Sequence, residues 1–261
     1  VRQSPFALTE LLGALGIVLV FLAILLPVFA NVRDKQRLAL CADNERQIGA
    51  GLLEYVQDYD NTWPAEERAK NGVYSENGNN APTRTSWMVA ILPYTKTTSI
   101  YRCPANGNTT ETYPDGTGGT PDAHVLGDYV GNVAGLGNCA TGPNNAWLSP
   151  LNGLGMFGGI KSPGVRESDV PEPASTIAVY EAFGTNQAQL DPDCSDWTAV
   201  TVYEPHNGRA NYLFADGHVE TLAPMETTAH GCNRWFRNTA LAPPYYITEV
   251  LTTAERQGNF R

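Results

Sequence analysis

The chain has 261 residues, 42% of them hydrophobic and 17% charged, with 25 Gly, 18 Pro and a formal net charge of −10. This length suits one large domain or two small ones, and the acidic balance argues against a sequence-wide affinity for nucleic acid or anionic lipid heads, which need a basic face. The low charged fraction excludes a charge-rich disordered chain and a long coiled coil, while a mean hydropathy of −0.26 describes an ordinary soluble protein.

That average conceals an uneven distribution. From Leu11 to Ala30 there is no charged side chain, with Glu10 on one side and Arg33, Lys35 and Arg37 on the other. Twenty apolar residues rising about 1.5 Å each suffice to cross a bilayer as a helix. A cleaved signal peptide needs a shorter apolar core, a charged start and a small-residue cleavage site; this run is long and continues into further helix. A plain transmembrane anchor fits the length but leaves Glu10 unexplained, because a carboxylate at the lip of such a run is costly unless paired. Gly13, Gly16 and Pro27 weaken the helix, or the glycines allow close helix–helix packing. Further on, Leu38, Leu40, Cys41, Ile48, Leu52, Leu53 and Val56 recur at the rough 3–4 spacing of an amphipathic helix. The expected organisation is a hydrophobic stalk over 1–32, a stem helix over 33–60 and a globular head over 61–261.

From about Asn61 the composition changes. KNGVYSENGNNAPTRT and NGNTTETYPDGTGGTPDAH are rich in Gly, Asn, Thr and Pro, which break a chain into turns and short strands. SWMVAILPYT predicts one short helix ended by Pro93. Strands are predicted at TIAVYEA (176–182), AVTVYEP (199–205), NYLFAD (211–216) and HVETLA (218–223). The last two flank Asp216-Gly217, a dipeptide favoured in type I′ turns, and so predict a β-hairpin. Strands that follow a helix and pack against it give the α+β class: a long N-terminal helical stalk on a head with an antiparallel β-sheet and long loops. Residues from Asn61 onward carry 12 Lys and Arg against 20 Asp and Glu, so most of the negative charge lies on the head, as suits a solvated outer surface.

Few head residues have the pattern of a chemical site. His206, Asp216 and His218 could form a metal or acid/base site, but no nucleophile with a defined partner and no HExxH-like spacing accompanies them. The alternative is that Asp216-Gly217 builds the turn while His206 caps or hydrogen-bonds the adjoining loop. Asp191, Asp193 and Asp196 offer the carboxylates that Ca²⁺ takes, at a spacing unlike an EF-hand, and otherwise form a solvated turn. Cys41, Cys103, Cys139, Cys194 and Cys232 make no CxxC pair, which argues against zinc or a thioredoxin-like redox motif. They are free to form disulfides in an exported head, or to act as small buried apolar residues. Asn108-Thr109-Thr110 is a glycosylation sequon. Trp63, Trp87, Trp147, Trp197 and Trp235 could stack on sugars, though their scatter favours core packing for most of them.

Two segments carry a resemblance. FALTELLGALGIVLVFLAILLPVF resembles the N-terminal helix of type IV pilins and type II secretion pseudopilins, whose mature chains open with Phe and carry Glu and then Pro at the spacing of Phe6, Glu10 and Pro27 here. HNGRANYLFADGHVETL, with nine residues between His206 and Asp216-Gly217, resembles the C-terminal H-x9-DG motif (206–217) of a group of bacterial prepilin-like proteins. CADNERQIGAGLLEYVQDY and ILPYTKTTSIYRCP resemble that group's stem-helix and mid-chain segments. Residues 104–175 and 224–261 remain unassigned. The resemblance implies the type IV pilin fold and a Cys41–Cys103 disulfide tying stem to head; among the remaining three cysteines, Cys194–Cys232 is a candidate pair that the resemblance does not specify. Some secretion pseudopilins bind calcium in the head, which makes Asp191, Asp193 and Asp196 calcium candidates here, but the expectation for these acids is a solvated turn and no cofactor. Pro5 departs from the pattern, since the family's leader peptidase expects Gly before Phe6. With Phe6 as the mature terminus, residues 1–5 are leader; with Val1, the terminal amine stands away from Glu10.

The implied function is structural, not enzymatic. Identical subunits form a helical homopolymer through their N-terminal helices, with Glu10 accepting a charge-assisted hydrogen bond from a neighbour's terminal amine. The partners implied are the inner-membrane assembly machinery and prepilin peptidase, and nucleic acid is not among them. The chain would sit in the inner membrane before assembly and in an extracellular surface filament after it, and no cofactor is expected, calcium being the one candidate. Two alternatives stand beside this: a pseudopilin of a type II secretion-like system, and a membrane-anchored periplasmic glycan-binding module or enzyme.

Overall fold

A computed structural model describes residues 8–64, 67–69, 84–105, 112–114, 124–126, 128–132, 155–157, 164–183, 201–202, 206, 208–231, 233–243, 248, 251–252 and 255. Helix α1 (Leu8–Asp58) is continuous over 51 residues. It runs through Pro27, although a helix-interior proline lacks an N–H and costs about 3 kcal/mol. The two halves of α1 meet different surroundings. Large apolar side chains from Leu11 to Leu26, then Phe29 and Val32, are exposed. Cys41, Glu45, Ile48, Leu52 and Tyr55 are buried instead, at alternating steps of four and three residues that define one helix face, and Val56 beside Tyr55 joins them. Among the described residues no helix is long and apolar enough to cross a membrane; within α1 the side chains of 8–10, 27–28 and 30–31 lie outside the description. The helix is closed by Asp60 and Asn61 at φ of 52° and 55°, residue types that tolerate the left-handed region. Asn61 N–H donates to the Val56 carbonyl at 2.9 Å.

Two helical turns, α2 (Trp87–Ala90) and α3 (Leu92–Thr95), replace the single helix expected over 86–95. Pro93 does not end a helix; it lies in the first turn of α3, where its missing N–H has no intrahelical bond to lose. Strands β1 (Glu67–Ala69) and β2 (Arg84–Ser86) form one antiparallel ladder, and β3 (Thr112–Pro114) and β4 (His124–Leu126) another. The main sheet comprises β5 (Tyr129–Gly131), β6 (Ile177–Phe183), β7 (Thr201–Val202), β8 (Ala210–Phe214) and β9 (Val219–Leu222). It is antiparallel, in the order β5-β6-β8-β9 with β7 also on β6. The four predicted strands therefore correspond to β6 to β9, and the class is α+β.

Both faces of this sheet are covered. The two-residue period of β8 sends Leu213 toward the buried face of α1, where Val179, Tyr129, Trp87 and Ile91 join the same core. Tyr212 and Phe214 point the other way, into a second core with Ile177, Tyr180, Trp235, Phe236 and Leu251. Trp235 meets Tyr180 and Tyr212 edge-on, with ring centroids 4.9 and 6.1 Å apart. Trp63, Trp87 and Trp235 are all buried, so none of these three presents a face to a sugar. Trp147 and Trp197 lie outside the described residues.

The β8–β9 hairpin is present, but its turn is not type I′. That turn needs positive φ at both central residues, and here Gly217 alone has it, at 91°. Phe214 O accepts from Gly217 N–H, and Phe214 N–H donates to His218 O, each at 2.9 Å. This is the three-residue loop in which glycine takes the left-handed position. Asp216 Oδ1 accepts His218 N–H at 3.1 Å, the local bond that favours Asp in turns. The turn lies against the stem helix: a Cβ on Gly217 would meet Leu53 Cδ1 at 2.9 Å, and one on Gly49 would meet Leu213 Cδ1 at 2.8 Å. Gly217→Ala is therefore expected to destabilise the chain by about 1–3 kcal/mol, seen as a lower urea midpoint at unchanged slope.

Candidate functional site

Polar groups from four distant parts of the chain meet where α1 faces β6 and β8. The stem contributes Cys41 and, one turn later, Glu45. Cys103 follows the 3₁₀ turn Ser99–Tyr101 and is joined to Cys41 in a disulfide, with Cα atoms 5.2 Å apart. Bonds on both sides hold this segment in place, among them Asn44 Nδ2–H to Arg102 O at 2.8 Å, Cys103 N–H to Asp128 Oδ2 at 2.7 Å and Asp128 N–H to Tyr101 O at 2.7 Å. The Tyr129 hydroxyl donates to Cys41 O at 3.4 Å. Burial, reinforced by the Glu181 and Glu45 carboxyls, pushes that phenol well above its usual range.

β6 supplies Glu181 and the loop before β8 supplies His206, both side chains 1% exposed. As a carboxylate, Glu181 only accepts, so His206 Nε2–H donates to Oε1 across 3.2 Å. Asn211 secures the same carboxyl, giving its backbone N–H to Oε2 at 2.8 Å and its amide Nδ2–H to Oε1 at 3.3 Å. That amide also reaches Leu38 O at 3.3 Å, which ties β8 to the stem. Glu181 Oε1 lies 3.6 Å from Cys103 Sγ.

Glu45 is the most costly member. It is fully buried, and neither carboxyl oxygen has a hydrogen-bond partner among the described residues. Desolvation, then repulsion from Glu181, holds its pKa well above the usual 4.5, with Arg46 pulling weakly the other way. The folded chain thus keeps a proton that the unfolded chain has lost, and stability falls as pH rises from the ordinary carboxylate value toward the folded one. Glu45→Met is expected to leave stability near unchanged at about pH 4 and raise it by about 1–3 kcal/mol at about pH 8. Urea titrations at the two pH values check this, and an equal gain at both would refute it.

The expected site residues divide among several places. His206 and the Asp216-Gly217 turn, linked in the H-x9-DG motif, serve separate ends of the hairpin. His206 N–H bonds the adjoining loop at Arg209 O (3.3 Å), but its side chain crosses to Glu181 of β6. Asp216 pairs with His218 Nδ1 at 2.5 Å on the surface, and His218 stacks on Phe214 at 4.4 Å. The three therefore form no joint acid/base or metal site. Glu10 and Pro27 lie within α1, while Phe6 lies outside the described residues. So do Asn108, Cys139, Asp191, Asp193, Cys194, Asp196 and Cys232. Sequence reasoning missed Glu45 and Glu181. Glu45 occupies a core step of the stem helix, a signal available once the period is counted from Cys41; nothing local distinguishes Glu181. Comparison with protein-family models, curated proteins and solved structures finds no match for the chain.

Proposed function

We propose that this chain is a structural subunit of the type IV pilin kind, which polymerises through α1 into an extracellular filament. The observation that carries the reading is the division of α1. Its C-terminal half is built into the head's core, whereas its N-terminal half presents apolar side chains from Leu11 to Leu26 to the surroundings. Soluble monomers rarely expose so continuous an apolar surface. Each such side chain is worth about 1.5–3 kcal/mol when removed from water. Lipid serves that need before assembly and the apolar halves of neighbouring subunits serve it afterwards. The disulfide and the Asn211–Leu38 bond would transmit load from helix to head. Glu10, in the first turn of α1, is the group that would take a neighbour's terminal amine and set axial register.

Glu10→Ala should abolish filaments while leaving the subunit in the membrane fraction, as seen by electron microscopy of sheared surface material and by fractionation. Normal filaments in that variant would remove the pairing role. Absent filaments in the parent strain, with a secretion defect on deletion, would favour the pseudopilin alternative.

A further inference from the structure

The disulfide does not account for what surrounds it. A cystine is nearly apolar and needs neither a carboxylate nor an imidazole beside it, and burying those two groups is costly unless something compensates. Yet one donor atom each from Cys41, Cys103, Glu181 and His206 lies within 4.8 Å of the others, and all four residues are buried. Among the described residues this is the only such group of three or more.

We propose that, with Cys41 and Cys103 as thiols, these four side chains form a tetrahedral Cys₂–His–Glu site for one Zn²⁺. Two sulfurs, an imidazole and a carboxylate are the donor set that zinc favours over magnesium or calcium. Two of the spacings agree with edges of such a tetrahedron. Ligand bonds of about 2.0–2.3 Å give an N–O edge of about 3.3 Å and an S–O edge of about 3.5 Å. The His206 Nε2–Glu181 Oε1 distance is 3.2 Å and the Cys103 Sγ–Glu181 Oε1 distance is 3.6 Å. On binding, the two sulfurs would part to about 3.8 Å, and the remaining donor pairs, which lie within 4.8 Å of one another, would draw in to tetrahedral edges. Part of the supporting shell is built: Asn211 orients Glu181, giving its N–H to Oε2 and its amide Nδ2–H to Oε1, while His206 Nδ1 is buried without a partner among the described residues. Glu45 stands one turn beyond Cys41, its two oxygens buried without a partner among the described residues.

The chemistry balances. Two thiols and Zn²⁺ give two Zn–S bonds and release two protons, while neutral His206 carries its proton on Nδ1 and offers Nε2 to the metal. A disulfide oxidant reverses the site: both thiolates are oxidised to the cystine, the oxidant is reduced to two thiols taking up two protons, and Zn²⁺ leaves. The same four residues thus hold stem to head through a metal before oxidation and through a covalent bond after it.

The test uses the full chain in detergent micelles, reduced anaerobically by a phosphine, which becomes the phosphine oxide. Zn²⁺ is then added, excess is removed, and bound metal is counted; Co²⁺ is used in parallel. One Zn²⁺ per reduced chain and none per oxidised chain is expected. The Co²⁺ form should show thiolate-to-cobalt charge transfer and the intense visible bands of tetrahedral coordination. His206→Ala and Glu181→Gln should each weaken binding by at least about 10-fold. Should reduction alone loosen the head, Zn²⁺ should restore its near-ultraviolet circular dichroism. Failure of the reduced chain to take up zinc, a Co²⁺ spectrum without thiolate bands, or unchanged affinity in both variants would each overturn the assignment.

Discussion

Removing the Cys41–Cys103 disulfide, by replacing both residues with alanine, is expected to lower the stability of the metal-free chain by about 4 kcal/mol. The bridge spans a sequence separation of 62. Closing a loop of that length removes about 14 cal/mol/K from the unfolded ensemble on the chain-entropy estimate, hence about 4 kcal/mol at room temperature. The loss should be large because of what the loop contains. It runs from the stem helix through α2 and α3, where Trp87, Met88 and the intervening Ile91 are fully buried against α1. Without the bridge, the polar ties between the helix and this part of the chain include Asn44–Arg102, Tyr94–Asp58 and Tyr129–Cys41, the last with a long 3.4 Å geometry. Urea unfolding followed by tryptophan fluorescence measures the difference. A loss below about 1 kcal/mol would mean that stem and head are held together by packing alone, and the bridge would then be a passenger.

Glu181→Leu is expected to cost about 3–5 kcal/mol, the range for breaking a buried pair by removing one partner. Three donors lose their acceptor at once: His206 Nε2–H, Asn211 N–H and Asn211 Nδ2–H. All sit in side chains or backbone that water does not reach, since Asn211 is fully buried and the His206 side chain is 1% exposed. Glu181→Gln keeps an oxygen acceptor in place and should lose less. In a double-mutant cycle, Glu181→Leu with His206→Ala should show a coupling of about 0.5–3 kcal/mol. Additive losses would mean that the 3.2 Å contact contributes nothing of its own. The effect is on stability, and its consequence for function runs through the stem: Asn211 bonds both Glu181 and Leu38 O, so releasing the carboxyl also frees the strand's hold on α1.

The His206-to-Asp216 motif shows how sequence and structure divide this information. Its glycine was legible because the need for positive φ is local, and a DG dipeptide between two alternating segments states it directly. The turn type was not legible. Whether the loop closes over two residues or three depends on how β9 registers with β8, and the close approach of Leu53 and Gly49 bears on that choice. His206 points toward a partner 25 residues earlier in the chain, and no spacing within the motif specifies one. The short-helix error at Pro93 has a similar origin. Proline forbids the middle of a helix but suits the start, and only the observed break at Ile91 distinguishes the two.

The sequence by itself determined what depends on near neighbours: the uncharged run from Leu11 to Ala30, the periodic stem helix, the strands that became β6 to β9, and the α+β class. Each rests on a side-chain period of about 3.6 or 2, or on a turn residue, and these survive without knowledge of what lies opposite. The tertiary structure alone decided which residues close the sheet's far face, where Trp235 and Phe236 arrive from an unassigned segment. It also decided that Glu45, Glu181 and His206 are buried together beside the disulfide. A carboxylate's burial is set by the partners that packing brings from elsewhere in the chain, and residues so far apart in sequence leave no periodic trace of having met.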